Sequence, residues 1–187
     1  MADVTTDPRE RLRPLLRTRQ FRDFTDTPVE VSLLDAIADA GRWSGSSRNE
    51  QPWRFIVIRD RETIREIARA GLPQTRGLGS AMAAIAIVLP ADPARAIADA
   101  YDDGRAAERM LVAAQMLGLG AGISWIRRDV LDSVRPFLDL PPGRMVRTIL
   151  GVGHPTEAAR RPRSTGGQAR LPREETVLGE RWPAGRE

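Results

Sequence analysis

The sequence SGSSRNEQPWRFIV, which spans residues 44–57, determines how the rest of the chain is interpreted. Its first half is rich in residues that form turns and hydrogen bonds. It ends at Pro52, which removes a backbone donor and disfavours helix at Gln51. Residues 53–58 are aromatic and β-branched, as is typical of a strand that enters a core. A polar loop held on a rigid strand is a common location for binding residues, and an ordinary loop before a buried strand is the alternative.

The composition is that of a soluble globular protein and excludes several functional classes. The 187 residues are 41% hydrophobic and 29% charged, which suits one domain with a sizeable core. Cysteine is absent and His154 is the single histidine, so we expect no disulfide, no thiol nucleophile and no metal site. All 29 basic residues are arginine, but they are interleaved with 25 acidic residues. We find no nucleic-acid-binding motif and therefore expect no nucleic-acid partner.

Membrane association is also not expected. No apolar run approaches the roughly 20 residues that a helix needs to cross a bilayer. The first ten residues, MADVTTDPRE, contain no apolar signal region. These two observations favour a cytoplasmic protein without a membrane partner.

Strand and helix patterns alternate along the chain. Short apolar strands are predicted at residues 53–58, 83–89, 123–126 and 145–153, and the second of these is apolar throughout, as in a strand buried on both faces. Helical patterns lie between them, including an alanine-rich one at residues 104–117 that we expect to be buried. This alternation predicts an α+β sandwich in which helices cover a central sheet. No repeat or linker divides the chain, so residues 1–187 are predicted to form one domain.

Several helix starts are predicted from capping residues. Asp7 and Pro8 suit the start of a first helix over residues 7–19, in which Pro14 predicts a kink or a later start. Ser32, with Asp35 three residues later, resembles a capping box and predicts the start of a second helix. The adjacent acids Asp102 and Asp103 are interpreted as residues that open a helix, because acidic side chains favour a helix N-terminus.

The polar loop also carries a family resemblance. The run SSRNEQPWRF resembles the S-S-x-N-x-Q-P-W-x-F signature of the nitroreductase family of FMN-dependent oxidoreductases. In that family the serine and asparagine side chains of this loop reach the flavin, often across the subunit boundary of a dimer. The resemblance implies a nitroreductase-like sandwich, with a mostly antiparallel sheet flanked by helices, in an intertwined homodimer. It assigns cofactor contacts to Ser46, Ser47 and Asn49.

A glycine-rich segment follows the alanine-rich helical pattern. Glycines stand at positions 118, 120 and 122, but the dinucleotide fingerprint fails because Ile123 occupies its third glycine position. A helix stop followed by close packing explains Gly118. The resemblance implies that main-chain atoms of Gly122, Ile123 or Ser124 approach the N5 edge of the flavin.

Arginines near residue 20 suit a phosphate, because the fixed fork of a guanidinium supplies two donors at once. Arg19 and Arg22 align with the phosphate-binding element of the family. Gln20 stands where serine is usual, and it remains a candidate ligand because glutamine can still donate a hydrogen bond. Arg17 precedes this element and is a further candidate. A solvated basic turn is the alternative.

Two further segments complete the predicted site. QARLPREETV resembles the K-x-R-x-P ending of the family, in which Arg170 matches a phosphate ligand and Gln168 replaces lysine. Gln74 is a candidate for the pyrimidine edge of the flavin ring, with an ordinary surface glutamine as the alternative. His154 lies in a turn, where we expect a structural role. Residues from about 156 to 187 are expected to form an extended C-terminal arm.

Together these motifs imply an FMN-dependent enzyme that transfers hydride from NADH or NADPH, through the flavin, to a nitroaromatic, quinone or similar acceptor by a ping-pong mechanism. No side chain is assigned a catalytic proton transfer, because the flavin carries the redox chemistry. One alternative is an enzyme of the same fold that fragments flavin, dehalogenates or oxidises azolines. Another is a flavin-binding module without turnover.

Overall fold

A four-stranded antiparallel sheet forms the centre of the computed structural model, which describes residues 7–161 and 170–183. The strands are β1 (Arg54–Ile58), β2 (Ala83–Pro90), β3 (Gly120–Trp125) and β4 (Arg144–Gly153), in the spatial order β1-β2-β4-β3. Every neighbouring pair is antiparallel. Each of the four predicted strands is present, and β3 begins three residues earlier than predicted because the glycines belong to it.

Eight α-helices surround this sheet within the described residues. They are α1 (Pro8–Arg11), α2 (Arg13–Leu16), α3 (Val31–Arg42), α4 (Arg61–Ala70), α5 (Ala96–Met116), α6 (Leu131–Val134), α7 (Glu157–Arg160) and α8 (Arg173–Thr176). Helices α3 and α5 pack on one face of the sheet, and α4 and α6 on the other. None of these helices is long and apolar enough to cross a membrane.

Two hydrophobic clusters fill the space between the sheet and its helices. Leu34, Ile37 and Met110 lie in the first cluster, and Ile64 and Val134 lie in the second; all are almost fully buried. Strand β2 is buried along nearly its whole length, as its unbroken apolar sequence predicts. Truncation of one such leucine or isoleucine to alanine typically costs about 2–5 kcal/mol.

Several helix boundaries differ from the prediction. The expected first helix is divided into α1 and α2 at Leu12, two residues before Pro14, whose ring cannot fit inside a continuous helix. Asp7 caps α1 as predicted, accepting from the Arg9 amide. The predicted capping box at Ser32 is wrong, because α3 begins at Val31 after Glu30 and Ser32 lies inside its first turn.

The interpretation of Asp102 and Asp103 as helix-opening residues is also wrong. Helix α5 begins at Ala96, after a short 3-10 turn that Asp92 caps by accepting from the Ala94 amide. Asp102 and Asp103 therefore lie in the middle of a 21-residue helix, and both are buried. Their partners lie in other parts of the chain.

Candidate functional site

An open cleft of about 510 Å³ lies at the edge of the sheet beside β3. It is formed by the segment before α3, the turn after α4, and β3 itself. Four predicted site residues line it, namely Gln20, Arg22, Gln74 and Ile123. These residues are separated by up to 103 positions in sequence, so the fold brings them together.

Residues 20–22 reach the cleft because they run along the free edge of β3. The Phe21 amide donates to the Ala121 carbonyl at 2.8 Å. A side chain at Gly122 would collide with the main chain of Phe21, so glycine is required for this close approach. Further along, Phe24 forms an isolated bridge with Pro155. The edge strand is thus partly covered, and the side chains of Gln20 and Arg22 are held over the cleft.

Gln20 connects the predicted phosphate element to the predicted ring-binding strand. Its Oε1 accepts from the Ile123 amide at 3.2 Å and from Arg22 Nη2 at 3.1 Å. Backbone amides alternate in direction along a strand. Because the Ile123 amide points away from β4, toward Gln20, the amides of Gly122 and Ser124 point toward β4. Of the three main-chain candidates, Ile123 is the one whose amide faces the cleft.

The charge and polar groups of the cleft match a flavin nucleotide. Among the described residues, two arginines, Arg22 and Arg76, line the cleft, and no acidic residue does. Such a pair of guanidinium groups suits a dianionic phosphate. Gln74 Oε1 is buried and has no hydrogen-bond partner within the described chain. It is an available acceptor for an N–H donor such as the pyrimidine edge of a flavin presents.

Arg76 was not predicted from the sequence. It follows Gln74 by two residues in the same turn, and Gly77 next to it packs against the aliphatic part of Arg22. Its signal in the sequence was weak because the chain contains 29 arginines without a lysine, so one more arginine carries little information.

Other predicted phosphate ligands lie outside this cleft in the described chain. Arg19 donates to the carbonyl groups of Ala159, Arg160 and Arg161 at the C-terminal end of α7. A guanidinium is favoured there because helix C-termini carry partial negative charge. Arg17 and Arg170 are exposed, and Gln168 lies outside the described residues.

The polar loop lies on a different surface of the protein. Ser46 Oγ accepts from the Gln51 amide at 2.9 Å, and Asn49 Oδ1 accepts from Gln51 Nε2 at 3.3 Å. Among the described residues, Ser46, Ser47 and Asn49 do not line the cleft beside β3. The start of the loop, Ser44 and Gly45, instead lines a cavity of about 680 Å³ beside α5.

The loop has an unusual backbone. Arg48, Asn49 and Gln51 have φ values of 52°, 56° and 49°, which lie in the left-handed region. Residues other than glycine pay about 1–2 kcal/mol each for this conformation. The loop therefore holds its shape only because contacts with its surroundings outweigh this cost.

A buried carboxylate of α5 provides one of those contacts, and no feature of the sequence indicated this role. The Ser47 amide donates to both carboxylate oxygens of Asp102, at 3.2 and 3.1 Å. The neighbouring Asp103 instead accepts from the Thr148 hydroxyl of β4 at 2.7 Å. Burial raises the pKa of Asp103 to about 6, against the opposing effects of the Thr148 hydrogen bond and the Arg147 charge.

The single histidine contributes a main-chain contact. The carbonyl of His154 accepts from the Thr25 amide at 2.8 Å and helps to hold the segment that leads away from the cleft. The residue does not line the cleft. This placement agrees with the structural role expected from the sequence.

The sequence is similar to those of proteins in one known family. The family model described as "Nitroreductase family" matches residues 15–85. A protein of Archaeoglobus fulgidus, described as a candidate NADH dehydrogenase/NAD(P)H nitroreductase, is 31% identical over 156 residues, which cover 79% of this chain and 87% of that protein.

Solved structures share the fold over nearly the full chain. The crystal structure of a candidate NADH dehydrogenase/NAD(P)H nitroreductase from Bacteroides thetaiotaomicron has a TM-score of 0.77 and 25% identity, and covers 95% of this chain and 100% of that one. An FMN-dependent nitroreductase from Clostridium difficile, at 23% identity, has a TM-score of 0.75 and covers 90% of this chain and 98% of its own. The fold is that of these proteins, as the sequence predicted, and the chain belongs to the nitroreductase family.

Proposed function

We propose that the protein is an FMN-dependent oxidoreductase that transfers hydride from NADH or NADPH to a nitroaromatic, quinone or similar acceptor. The observation that carries this proposal is the convergence of Gln20, Arg22, Gln74 and the Ile123 amide on one cleft. Family membership supports an NAD(P)H-dependent oxidoreductase, because its relatives include candidate NAD(P)H nitroreductases and an oxygen-insensitive NADPH nitroreductase of Helicobacter pylori.

The residues of the cleft fit FMN. Arg22 and Arg76 would hold the phosphate, and Gln74 Oε1, which lacks a partner within the described chain, would accept from the pyrimidine edge of the ring. The Ile123 amide would donate to the N5 edge once the Gln20 side chain releases it. When bound, FMN supplies the hydride-accepting and hydride-donating chemistry, while the protein supplies position and electrostatics.

The remaining predicted ligands require a second subunit in this proposal. Ser46, Ser47 and Asn49 would reach the cleft of a partner, as the family resemblance implies. A surface suited to the partner lies beside the loop, where Ile97 and Tyr101 of α5 are 78% and 73% exposed and Trp43 is 67% exposed. Exposed large apolar side chains such as these favour association. We propose a homodimer of single-domain subunits, with residues from about 156 to 187 as an arm.

Both substrates would use the same open cleft in turn. The cleft is open to solvent beside β3, and Trp125, which lines it, is 53% exposed. The reduced nucleotide must then leave before the acceptor enters, which is a ping-pong order. The part of the chain that the structure describes places no carboxylic acid or histidine side chain in the cleft, so we assign no proton transfer to a side chain.

The proposal is tested by release of any bound flavin from the purified protein, followed by anaerobic titration of the holoprotein with NADH and with NADPH. We expect FMN, and loss of its visible absorbance with at least one nucleotide. A protein that binds FMN but keeps its colour with both nucleotides would be a binding module rather than an enzyme. A protein that binds no flavin would contradict the proposal.

A further inference from the structure

The polar loop lies along helix α5 in the opposite direction to it. Four residues, Trp43 and three residues of the loop, each contact a side chain of α5 or of Arg95, the residue just before it. Arg109 donates to the Trp43 carbonyl, the Arg105 guanidinium lies against Gly45, Asp102 accepts from the Ser47 amide, and Arg95 pairs with Glu50. The order along the loop is therefore the reverse of the order along the helix.

The loop that makes these contacts is folded. Ser47–Asn49 form a short 3-10 turn, in which the Asn49 amide donates to the Ser46 carbonyl at 3.1 Å. The contacts at Trp43 and Glu50 lie on either side of this turn, and the contact at Ser47 lies at its start. The helix and the residue before it thus hold the loop at several points along its length.

Asp102 lies at the middle of this series and is its most deeply buried member. Its residue exposure is 1%, and its two carboxylate oxygens face one amide of the loop. Arg105, the nearest cation, is 3.9 Å away and largely exposed, so it compensates the buried charge only weakly. A carboxylate in the middle of a helix is unfavourable both for helix propensity and for burial. The hydrogen bond to Ser47 offsets part of this cost.

The hydrogen bond falls immediately before the strained part of the loop. Ser47 precedes Arg48 and Asn49, which are both in the left-handed region. A fixed amide at Ser47 limits the conformations that Arg48 and Asn49 can relax into. The Ser46 and Asn49 side chains are held by their own hydrogen bonds to Gln51, and the Asp102 contact fixes the main chain between them.

We propose that Asp102 is a positioning residue that holds the Ser46–Asn49 segment in the conformation that receives flavin. This inference rests on the proposed function for the identity of the ligand, FMN. The contact by which Asp102 fixes the loop does not depend on that function. Loss of the carboxylate would allow the loop to sample relaxed conformations that do not bind FMN. The apparent affinity for FMN would then fall in proportion to the fraction of molecules whose loop keeps the binding conformation. The role belongs to one carboxylate on α5, because the adjacent Asp103 bonds to β4 instead.

The test compares Asp102→Ala and Asp102→Asn with the matched controls Asp103→Ala and Asp103→Asn in the full chain. Hydrogen exchange of the peptide that covers residues 44–51, and trypsin cleavage after Arg48, report on the loop in the flavin-free protein. Fluorescence titration reports the dissociation constant for FMN. We expect Asp102→Ala to accelerate loop exchange and to weaken FMN binding by about tenfold to a hundredfold, the usual effect of losing a charge-assisted hydrogen bond.

Asp102→Asn should lie between the wild type and Asp102→Ala, because its amide oxygen still accepts a hydrogen bond. The Asp103 variants should leave loop exchange as in the wild type. Equal loop exchange in the two alanine variants, or a loosened loop with unchanged FMN affinity, would overturn the proposal. If Asp102→Ala does not fold, the proposal is tested by comparing Asp102→Asn with Asp103→Asn. The two measurements are again loop exchange and FMN affinity. Failure of the wild type to bind FMN would refute the proposed function alone, because loop exchange would still show whether Asp102 holds the loop.

Discussion

Gly122→Ala tests how the cleft is assembled. A Cβ atom at this position would lie 3.1 Å from the Phe21 carbonyl carbon, and nearer still to its oxygen. Both groups belong to the main chain, so no side-chain rotation can relieve the contact. Residues 20–22 would have to move away from β3.

The expected cost follows from the contacts that this movement breaks. Overpacking against a rigid neighbour typically costs about 1–3 kcal/mol. The 2.8 Å hydrogen bond from Phe21 to Ala121 and the 3.2 Å bond from Ile123 to Gln20 would lengthen, at about 1 kcal/mol each. We expect the free energy of unfolding to fall by about 3–5 kcal/mol, which lowers Tm by about 6–20 °C for a domain of this size.

The measurement is thermal unfolding of the flavin-free protein at a fixed concentration, followed by FMN titration at a temperature where the variant is folded. Gly79→Ala is the matched control, because its Cβ would meet the Arg76 carbonyl oxygen at an ordinary 3.4 Å. FMN affinity should also fall in Gly122→Ala, because Gln20 and Arg22 move with the displaced segment. If both variants melt together and bind FMN alike, residues 20–22 are not held against β3 as described.

The remaining predictions concern charge, pH and kinetics. Arg22→Ala should weaken FMN binding about tenfold to a hundredfold and riboflavin binding much less, since only FMN has the phosphate; an equal loss for both flavins would refute a phosphate contact. Arg170→Ala should behave in the same way if the C-terminal segment also holds the phosphate. Burial raises the pKa of Asp103 from 3.8 to about 6 in the folded chain, so the folded state binds this proton more tightly and loses stability as pH rises through that range. Denaturant titrations should therefore show the free energy of unfolding of Asp103→Asn rising, relative to that of the wild type, by about 3 kcal/mol between about pH 3 and 7.5. A difference that stays constant over this range would contradict the raised pKa. Initial rates should give parallel double-reciprocal lines, whereas intersecting lines would require a second substrate site. His154→Gln should leave the rate nearly unchanged, because the contact of His154 with Thr25 is made by its main chain.

The strands could be predicted from sequence because each is defined by local composition. Strand β2 consists of apolar residues throughout, and a segment that is buried on both faces cannot accommodate anything else. The helix stop at Gly118 could be predicted for a similar reason, since its φ of 77° favours glycine. Such features depend only on a residue and its immediate neighbours in the chain, so they can be predicted from sequence.

The partners of polar side chains could not be predicted in this way. Asp102 and Asp103 are adjacent acids in the sequence, and a helix start is the usual explanation for such a pair. Their actual partners, the Ser47 amide and the Thr148 hydroxyl, are 55 and 45 residues away. Which of the two carboxylates meets the loop depends on the rotation of α5 about its axis, and packing of its apolar residues sets that rotation. Local sequence does not specify it.

The fold divides the predicted site residues between two surfaces, and local sequence does not specify this division either. The loop residues Ser46 and Asn49 match one family signature as closely as any part of the chain, yet in the described subunit they lie apart from the cleft that contains Gln20 and Ile123. The loop is held in place by α5, so it cannot swing across its own subunit without losing the contacts at Ser47 and Glu50. If both sets of residues bind one flavin, the second set must come from another subunit. Dimerisation and flavin binding would then be thermodynamically linked, and FMN affinity should fall on dilution below the dimer dissociation constant.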